Sequence, residues 1–592
     1  MSEVFAKYKS YIYPILLSII YVVCIILTWG KWGHIIADCF REMVIPQAIL
    51  EGKILYSDIT NLYSPLAYWL NAGLFSVFGD SLNVLYFAGI FNSFVILSVL
   101  YFLTKKYSSD FVAFIVTLTV IEIFTFRINM LNSVSWIFPY SYSFIYAFST
   151  CLLALVSYVL YKENLKLKYL FLSFLFIGLS VAFKLDFLLF ALVPLFEIIK
   201  NKSFKQFLIA LICFVIPTGV TFGAYLLTGG TISALLNQFD FLSEFSKAPS
   251  VISFNKLCLP QKYNIYVLQS IVYSIIAFVS SAVIILLCSS GVVLFLNKIN
   301  NRFFKIFLSI IFAFLGYVFV IKNIAKLQFV FLGLHANLVC IPYFVAIIAL
   351  VIFFLKRKEK NYTNIEKFYF LLTISGILMA YRLITAVFIS YIGNFIMTIF
   401  WLAFILFCYE ILPKYFEKFK NSNYRKILTV SFISFGLIFS SLFVFFAQNM
   451  TYKIKSSKGT FYTSKTYALT CNDAIDFIEK NISNDETLLV MDEGLIFNYL
   501  TDRKTNLKYY ALIPHMIDTF GEEKIIEDLS INPPDFAFIT NNVYPTKLGG
   551  KFGINYAKKI TAFFFDNYEY VQSIMHPEMN NGLEIAVLKR KK

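Results

Sequence analysis

Apolar runs of roughly 20 residues, the length that crosses about 30 Å of hydrocarbon, recur in this chain from residue 11 to residue 447. They cover about 11–29, 84–103, 111–126, 140–161, 169–183, 186–199, 206–227, 266–296, 303–321, 338–355, 368–384, 395–412 and 427–447. The fifth and sixth are short and close together, so the count is about thirteen. With 59% hydrophobic residues, the 592-residue chain has too little polar surface for a globular cytosolic protein. The expected fold is an α-helical polytopic membrane protein with about thirteen transmembrane helices and a soluble α/β domain at its C-terminus.

A formal charge of +16 would suggest a nucleic-acid partner in a soluble protein. Here the basic residues instead follow the alternation of the spans. Lys105 and Lys106, Lys162 and Lys166, Lys200 and Lys202, Lys298 and Arg302, Lys356 to Lys360, and Lys414 to Lys426 all fall in every second connection. Positive charge marks the cytoplasmic side, so these connections are read as inside and no nucleic-acid partner is expected. The first run follows Lys7 and Lys9 without a small-x-small cleavage pattern and reads as a retained signal-anchor. Thirteen crossings then place residues 450–592 outside a multi-pass cytoplasmic membrane protein whose helical part is 1–449. Cys39, Cys258 and Cys471 fall outside the spans, and no CxxC pair suggests a disulfide framework or zinc site.

Three outer connections exceed a simple turn: 30–82, 228–265 and 322–337. The first contains an amphipathic stretch from Asp38 to Leu50, expected to lie along the interface with Pro46 kinking or ending it. After Met450 the composition turns soluble. Asp473 to Asn481 and Gly521 to Leu529 read as helices, and Thr487 to Met491, Asp535 to Thr540 and Leu583 to Leu588 as strands, suggesting a small three-layer sandwich.

Charge beside lipid is costly and marks either pairing or function. On a helix, Asp38, Arg41 and Glu42 would share one face, with a guanidinium between two carboxylates; an ordinary interfacial helix with a local ion pair fits the same spacing. Arg127, Lys184 with Asp186, and Arg382 sit at expected outer ends of spans. Together they would suit an anionic headgroup, above all a phosphate; singly each is explained by snorkelling. His335 is a candidate metal ligand or a hydrogen-bonded interface residue. No GxxxxGK[ST] motif occurs, and Gly549-Gly550-Lys551 has the wrong spacing, so nucleotide hydrolysis has no evident site.

The segments Ala37-Asp38-Cys39-Phe40-Arg41-Glu42, Gly52-Lys53-Ile54-Leu55-Tyr56-Ser57-Asp58, Tyr63-Ser64-Pro65-Leu66-Ala67-Tyr68-Trp69-Leu70 and Phe78-Gly79-Asp80-Ser81 occur in order. This succession resembles the first outer loop of the GT-C glycosyltransferases, the clan of protein O-mannosyltransferases and lipid A aminoarabinose transferases. Many members have adjacent Asp-Glu, whereas here Cys39 holds the second place and Glu42 lies a turn further on. The resemblance implies a hexosyl- or pentosyltransferase that moves sugar from a polyprenyl-phosphate carrier to a glycan, lipid or protein acceptor at the outer face. It implies Asp38 as general base, Glu42 as a second catalytic acid, and Arg41, Asp58, Tyr63, Arg127, Lys184 and Arg382 around the substrates. The resemblance fixes no cofactor and leaves a divalent metal open. A lipid-linked-sugar flippase or another transporter is the alternative reading; it would also need many spans and buried charge, but not an acidic first loop or a soluble tail.

Overall fold

The computed structural model describes the chain except residues 1, 129–134, 259–264, 324–327, 359–360, 382–392, 545, 547–548, 579–581 and 592. Helices dominate. The first half contains α1 (Ser2–Thr28), α2 (Arg41–Leu50), α3 (Pro65–Phe78), α4 (Leu82–Tyr107), α5 (Asp110–Val120), α6 (Tyr142–Asn164), α7 (Leu167–Phe183), α8 (Leu192–Asn201), α9 (Phe204–Leu227), α10 (Ile232–Lys247) and α11 (Pro249–Cys258). The body is completed by α12 (Ile265–Asn297), α13 (Arg302–Lys322), α14 (Gln328–Leu355), α15 (Asn364–Met379), α16 (Gly393–Leu406), α17 (Leu412–Tyr415) and α18 (Ser422–Asn449).

Among the described residues, seven helices are long and apolar enough to cross a membrane: those at 11–28, 82–107, 142–164, 204–227, 279–297, 395–415 and 422–449. Their outer surfaces are oily. Ile12, Ile15, Ile19, Val22 and Ile26 are exposed along α1, an apolar stripe suited to a bilayer. The expectation of about thirteen crossings is therefore not reproduced as thirteen long helices. The run 186–199 departs most, because a 3₁₀ segment, Leu185–Ala191, precedes a ten-residue α8 that reaches only about 15 Å. The connection expected over 322–337 is also shorter, since α14 already starts at Gln328. Pro46 does not end α2; the helix runs through it to Leu50.

The basic connections meet at one end of the body. Ion pairs join Lys106 to Glu163, Lys162 to Glu197, Lys356 to Glu366 and Arg425 to Glu410, while Lys414 reaches Glu366 and Ser108 donates to Glu410. At the opposite end lie α2, α3, α10, α11 and the C-terminal unit. That unit begins with a strap in which β1 (Tyr452–Lys453) pairs antiparallel with β2 (Tyr462–Thr463).

Beyond the strap come α19 (Lys465–Asn481), β3 (Leu488–Met491), α20 (Leu495–Thr501), α21 (Pro514–Phe520), α22 (Glu522–Ile531), β4 (Phe536–Thr540), α23 (Lys558–Asn567), β5 (Tyr568–Ile574) and β6 (Ile585–Arg590). The sheet order is β3-β4-β6-β5; β3 and β4 run parallel, and β6 is antiparallel to both β4 and β5. Strand residues alternate between two cores, as a period of two requires. Leu488 and Val490 pack with Ala468, Ile475 and Phe497 of α19 and α20, whereas Leu489 and Met491 pack with Ile525, Leu529 and Phe564 of α22 and α23. Burial on both faces explains why Leu488–Met491 is a continuous apolar run. Neither α23 nor β5 was expected from the sequence, and α19 starts eight residues earlier than the stretch read as helix.

Candidate active site

Residues 33–41 fold back on themselves before α2 starts. The amides of Ile36 and Ala37 donate to His34 Nδ1 at 3.2 and 2.9 Å, and the His34 amide donates to Cys39 Sγ at 3.2 Å. Burial lowers His34 to about 4, which keeps the imidazole neutral and its Nδ1 able to accept. The turn leaves Asp38 at φ 61, a left-handed conformation that Asp tolerates better than most residues. Gly33, at φ 91, permits close approach of the 135–141 segment: a Cβ there would stand 2.4 Å from Phe138 Cδ1.

This geometry corrects the expected helical face. Asp38 precedes α2, and Arg41, in its first turn, reaches back to it. Glu42 points elsewhere and is wholly buried. Its Oε1 accepts from the Tyr68 hydroxyl at 3.1 Å and its Oε2 from the Tyr142 amide at 3.2 Å, the first residue of α6. Ser141, the residue before that helix, makes no side-chain cap, so the Glu42 carboxyl takes an otherwise orphaned amide. The contacts of Glu42 are thus those of a helix-terminus partner, directed to Tyr68 and the start of α6. Burial pushes it up to about 7.

Arg41 Nη2 donates to Asp38 Oδ1 at 2.6 Å and to Glu493 Oε1 at 2.7 Å. One nitrogen therefore commits both of its hydrogens, each to a different carboxylate. The guanidinium also faces the Tyr140 ring at 5.2 Å, and its buried Nε has no hydrogen-bond partner among the described residues. Burial raises the Asp38 carboxyl above its ordinary range, and the Arg41 charge offsets part of that rise. Glu493 is pushed up to about 7 by burial against the same opposing charge.

Arg41 lines a small open cleft between the helical body and the C-terminal unit, walled chiefly by Tyr63, Tyr68, Tyr140, Tyr509 and Tyr510 with Met516. The C-terminal unit is held there through backbone as well as side chains, since the Thr60 amide donates to the Lys508 carbonyl at 2.9 Å. Lys184 approaches the same wall: its Nζ lies 4.3 Å from the Tyr63 ring centroid and 3.2 Å from Asp186 Oδ2, with 9% of the side chain exposed.

Of the residues singled out from the sequence, Arg41 and Tyr63 line the cavity, with Asp38 bonded to Arg41 and Lys184 against the Tyr63 ring. Asp58 lies apart from the cavity; its Oδ2 accepts from the Ile54 amide at 2.8 Å and closes the local 54–59 turn. Arg127 is buried just beyond the π-helical turn Ile121–Thr125 and is not part of the cavity wall. Arg382 lies outside the described residues, and His335 falls on α14 where only the backbone is described. Among the described residues no group of three or more His, Cys, Asp or Glu is arranged to hold a metal ion. Asp38 and Glu493 already have a cation between them in Arg41.

Sequence reasoning missed Glu493 and the tyrosines at 140, 509 and 510. A signal for Glu493 existed: Asp492-Glu493-Gly494 follows the carboxyl end of β3, the end of a strand where α/β units place ligand-contacting residues.

No family model and no curated protein matches the chain. Solved structures do resemble it. The structure of ArnT from Cupriavidus metallidurans bound to undecaprenyl phosphate is similar over 97% of this chain and 97% of that one, at 9% identity and a TM-score of 0.45. The Archaeoglobus fulgidus oligosaccharyltransferase tethered to an acceptor peptide is similar over 99% of this chain and 75% of that one, at 11% identity and a TM-score of 0.48. Its apo form has 13% identity and a TM-score of 0.46, over 90% of this chain and 70% of that one.

Proposed function

We propose that this protein is an integral membrane glycosyltransferase that moves a hexose or pentose from a polyprenyl-phosphate carrier to the hydroxyl of a glycan, lipid or protein acceptor at the outer face of the cytoplasmic membrane. The observation that carries the reading is Arg41 on the wall of a tyrosine-lined cavity, ion-paired behind to Asp38, with Lys184 packed against Tyr63 of that wall. The reaction needs a base for the acceptor proton and cationic donors for the departing phosphate. Asp38 supplies the first. The Arg41 guanidinium and Lys184 Nζ supply the second.

In this scheme the acceptor oxygen attacks the anomeric carbon while the bond from that carbon to the phosphate oxygen breaks. The bonding electron pair leaves on the polyprenyl phosphate, and the acceptor proton passes to Asp38. Arg41 favours the ionised form of Asp38, the form that accepts a proton. The gathering of basic connections at the far end of the body supports an outward-facing cavity.

The test uses purified full-length protein in lipid nanodiscs with a panel of undecaprenyl-phosphate-linked hexoses and pentoses and an envelope extract as acceptor source. Release of undecaprenyl phosphate with appearance of a glycosylated product is the expected result. Failure of every donor, together with unchanged lipid-linked sugars and envelope glycans in cells lacking the protein, would remove the reading.

A further inference from the structure

We propose that Glu493 of the C-terminal unit is a positioning residue of the transfer site, holding Arg41 against Asp38 so that the C-terminal unit completes the site. The inference rests on the transferase reading and goes beyond it, because the first outer loop alone would then be an incomplete site.

The geometry at Glu493 is fixed from three directions. Its Oε1 takes the second hydrogen of Arg41 Nη2 at 2.7 Å, and its Oε2 accepts from the Tyr544 hydroxyl at 3.0 Å. Its backbone amide donates to Asp492 Oδ1 at 2.8 Å, and Asp492 is itself held by Tyr556 at 2.9 Å and Thr540 at 3.1 Å. Gly494 then turns the chain at φ 149, where a Cβ would meet Val490 Cγ1 at 2.5 Å. A side chain this constrained, 7% exposed, is a rigid support for the guanidinium it touches.

The chemical consequence follows from sharing one cation. With Glu493 ionised, the charge of Arg41 is divided between two carboxylates; with that charge removed, Arg41 acts on Asp38 alone and Asp38 becomes a weaker base. The charged and titratable groups facing this pair are Asp38, Arg41, Asp492 and Tyr544 around Glu493, and Tyr63 and Tyr140 around Arg41, with His515 within reach of its charge.

The full chain carrying Glu493→Gln would be assayed in nanodiscs with the best donor of the undecaprenyl-phosphate panel, beside wild type, Glu493→Asp and Tyr544→Phe. Turnover in Glu493→Gln is expected to fall about tenfold or more, and the acidic limb of its pH–rate profile to move down by roughly half a unit or more. KM for the donor should stay close to wild type, and Glu493→Asp should recover part of the turnover. Tyr544→Phe, which keeps the charge but frees Oε2, should lower turnover less and leave the acidic limb in place. A wild-type pH profile in Glu493→Gln, whether at full or reduced turnover, would overturn the proposal. If Glu493→Gln failed to fold, Tyr544→Phe would decide alone, and wild-type turnover there would overturn it. An inactive wild type would instead count against the transferase reading, which keeps the two failures distinct.

Discussion

Asp80 and Lys458, 378 positions apart in the chain, form an ion pair of 2.9 Å that ties the strap of the C-terminal unit to the end of the first loop. Lys458 also pairs with Asp502, and its carbonyl accepts from Leu82 N at 2.8 Å and Ser81 Oγ at 3.1 Å. The Phe78-Gly79-Asp80-Ser81 segment thus docks the tail. Lys458→Met strands a partly buried Asp80 and should weaken docking by about 1–3 kcal/mol. Hydrogen exchange would show it as faster exchange of the strap amides 456–463 with the transmembrane helices unchanged. Unaltered strap protection would contradict it.

Much of this architecture was legible because lipid imposes a simple rule: an apolar run must become a helix. The runs at 84–103, 206–227 and 427–447 sit within α4, α9 and α18 for that reason. The run 186–199 failed because hydropathy does not register a 3₁₀ start followed by a helix too short to span. At the site, Asp38 and Arg41 were legible as a pair because they are three residues apart. Their common helical face was not real, because the His34 imidazole captures two amides and turns the chain before α2 begins. Glu493 was hidden by distance, since no local pattern shows which of many tail carboxylates meets a loop 452 residues away.

The carboxyl of Glu42 predicts how stability changes with pH. Burial lifts it from 4.5 to about 7, so the folded state holds its proton more tightly than the unfolded one. The contribution is fully present below about 4.5 and is lost as pH rises through about 7. Thermal unfolding followed between about pH 5 and pH 8 should therefore show a higher Tm on the acidic side. Glu42→Gln should keep the fold and reduce the slope, the rest coming from Glu493, which burial also raises to about 7, while Glu42→Ala should cost about 1 kcal/mol or more by orphaning the Tyr142 amide. Identical pH curves for wild type and Glu42→Gln would rule this out.

Lys184 lies on the Tyr63 wall with Asp186 as neighbour, a placement suited to a phosphate as much as to snorkelling. Lys184→Gln should raise KM for the donor about tenfold or more, the size of one lost charge-assisted hydrogen bond. Lys184→Arg should retain part of the affinity. Binding of undecaprenyl phosphate to the two variants in nanodiscs reads this without knowledge of the sugar, and wild-type affinity in Lys184→Gln would return the residue to an interfacial role.

Orientation is testable by thiol labelling, though not through Cys471, which is fully buried in α19. Asp485 is exposed in the connection between α19 and β3. A variant whose only accessible thiol is Asp485→Cys should react with a membrane-impermeant maleimide in intact cells or spheroplasts. A cysteine at exposed Lys358, among the basic connections, should react only after lysis. The opposite pattern would place the cavity on the cytoplasmic side.

The decisive substitution is Asp38→Asn. The asparagine keeps the size and left-handed tolerance that the φ 61 position demands, so the His34 turn and the start of α2 should survive. It keeps an oxygen for Arg41 Nη2, now without charge, so Arg41 stays at the cavity between Glu493 and the amide. What it loses is basicity. If Asp38 takes the proton of the attacking hydroxyl, sugar transfer should fall by about 10² or more, the lower end of what a positioned general base contributes. Binding of undecaprenyl phosphate should persist, because the proposed readers of its phosphate, Arg41 and Lys184, are left in place by this substitution. The comparison variants are Glu42→Gln and Asp58→Asn, whose side chains serve the start of α6 and the 54–59 turn. Both should keep far more turnover than Asp38→Asn. Wild-type transfer by Asp38→Asn would remove it as the base and leave Glu493, the other carboxylate on Arg41, as the residue to test next.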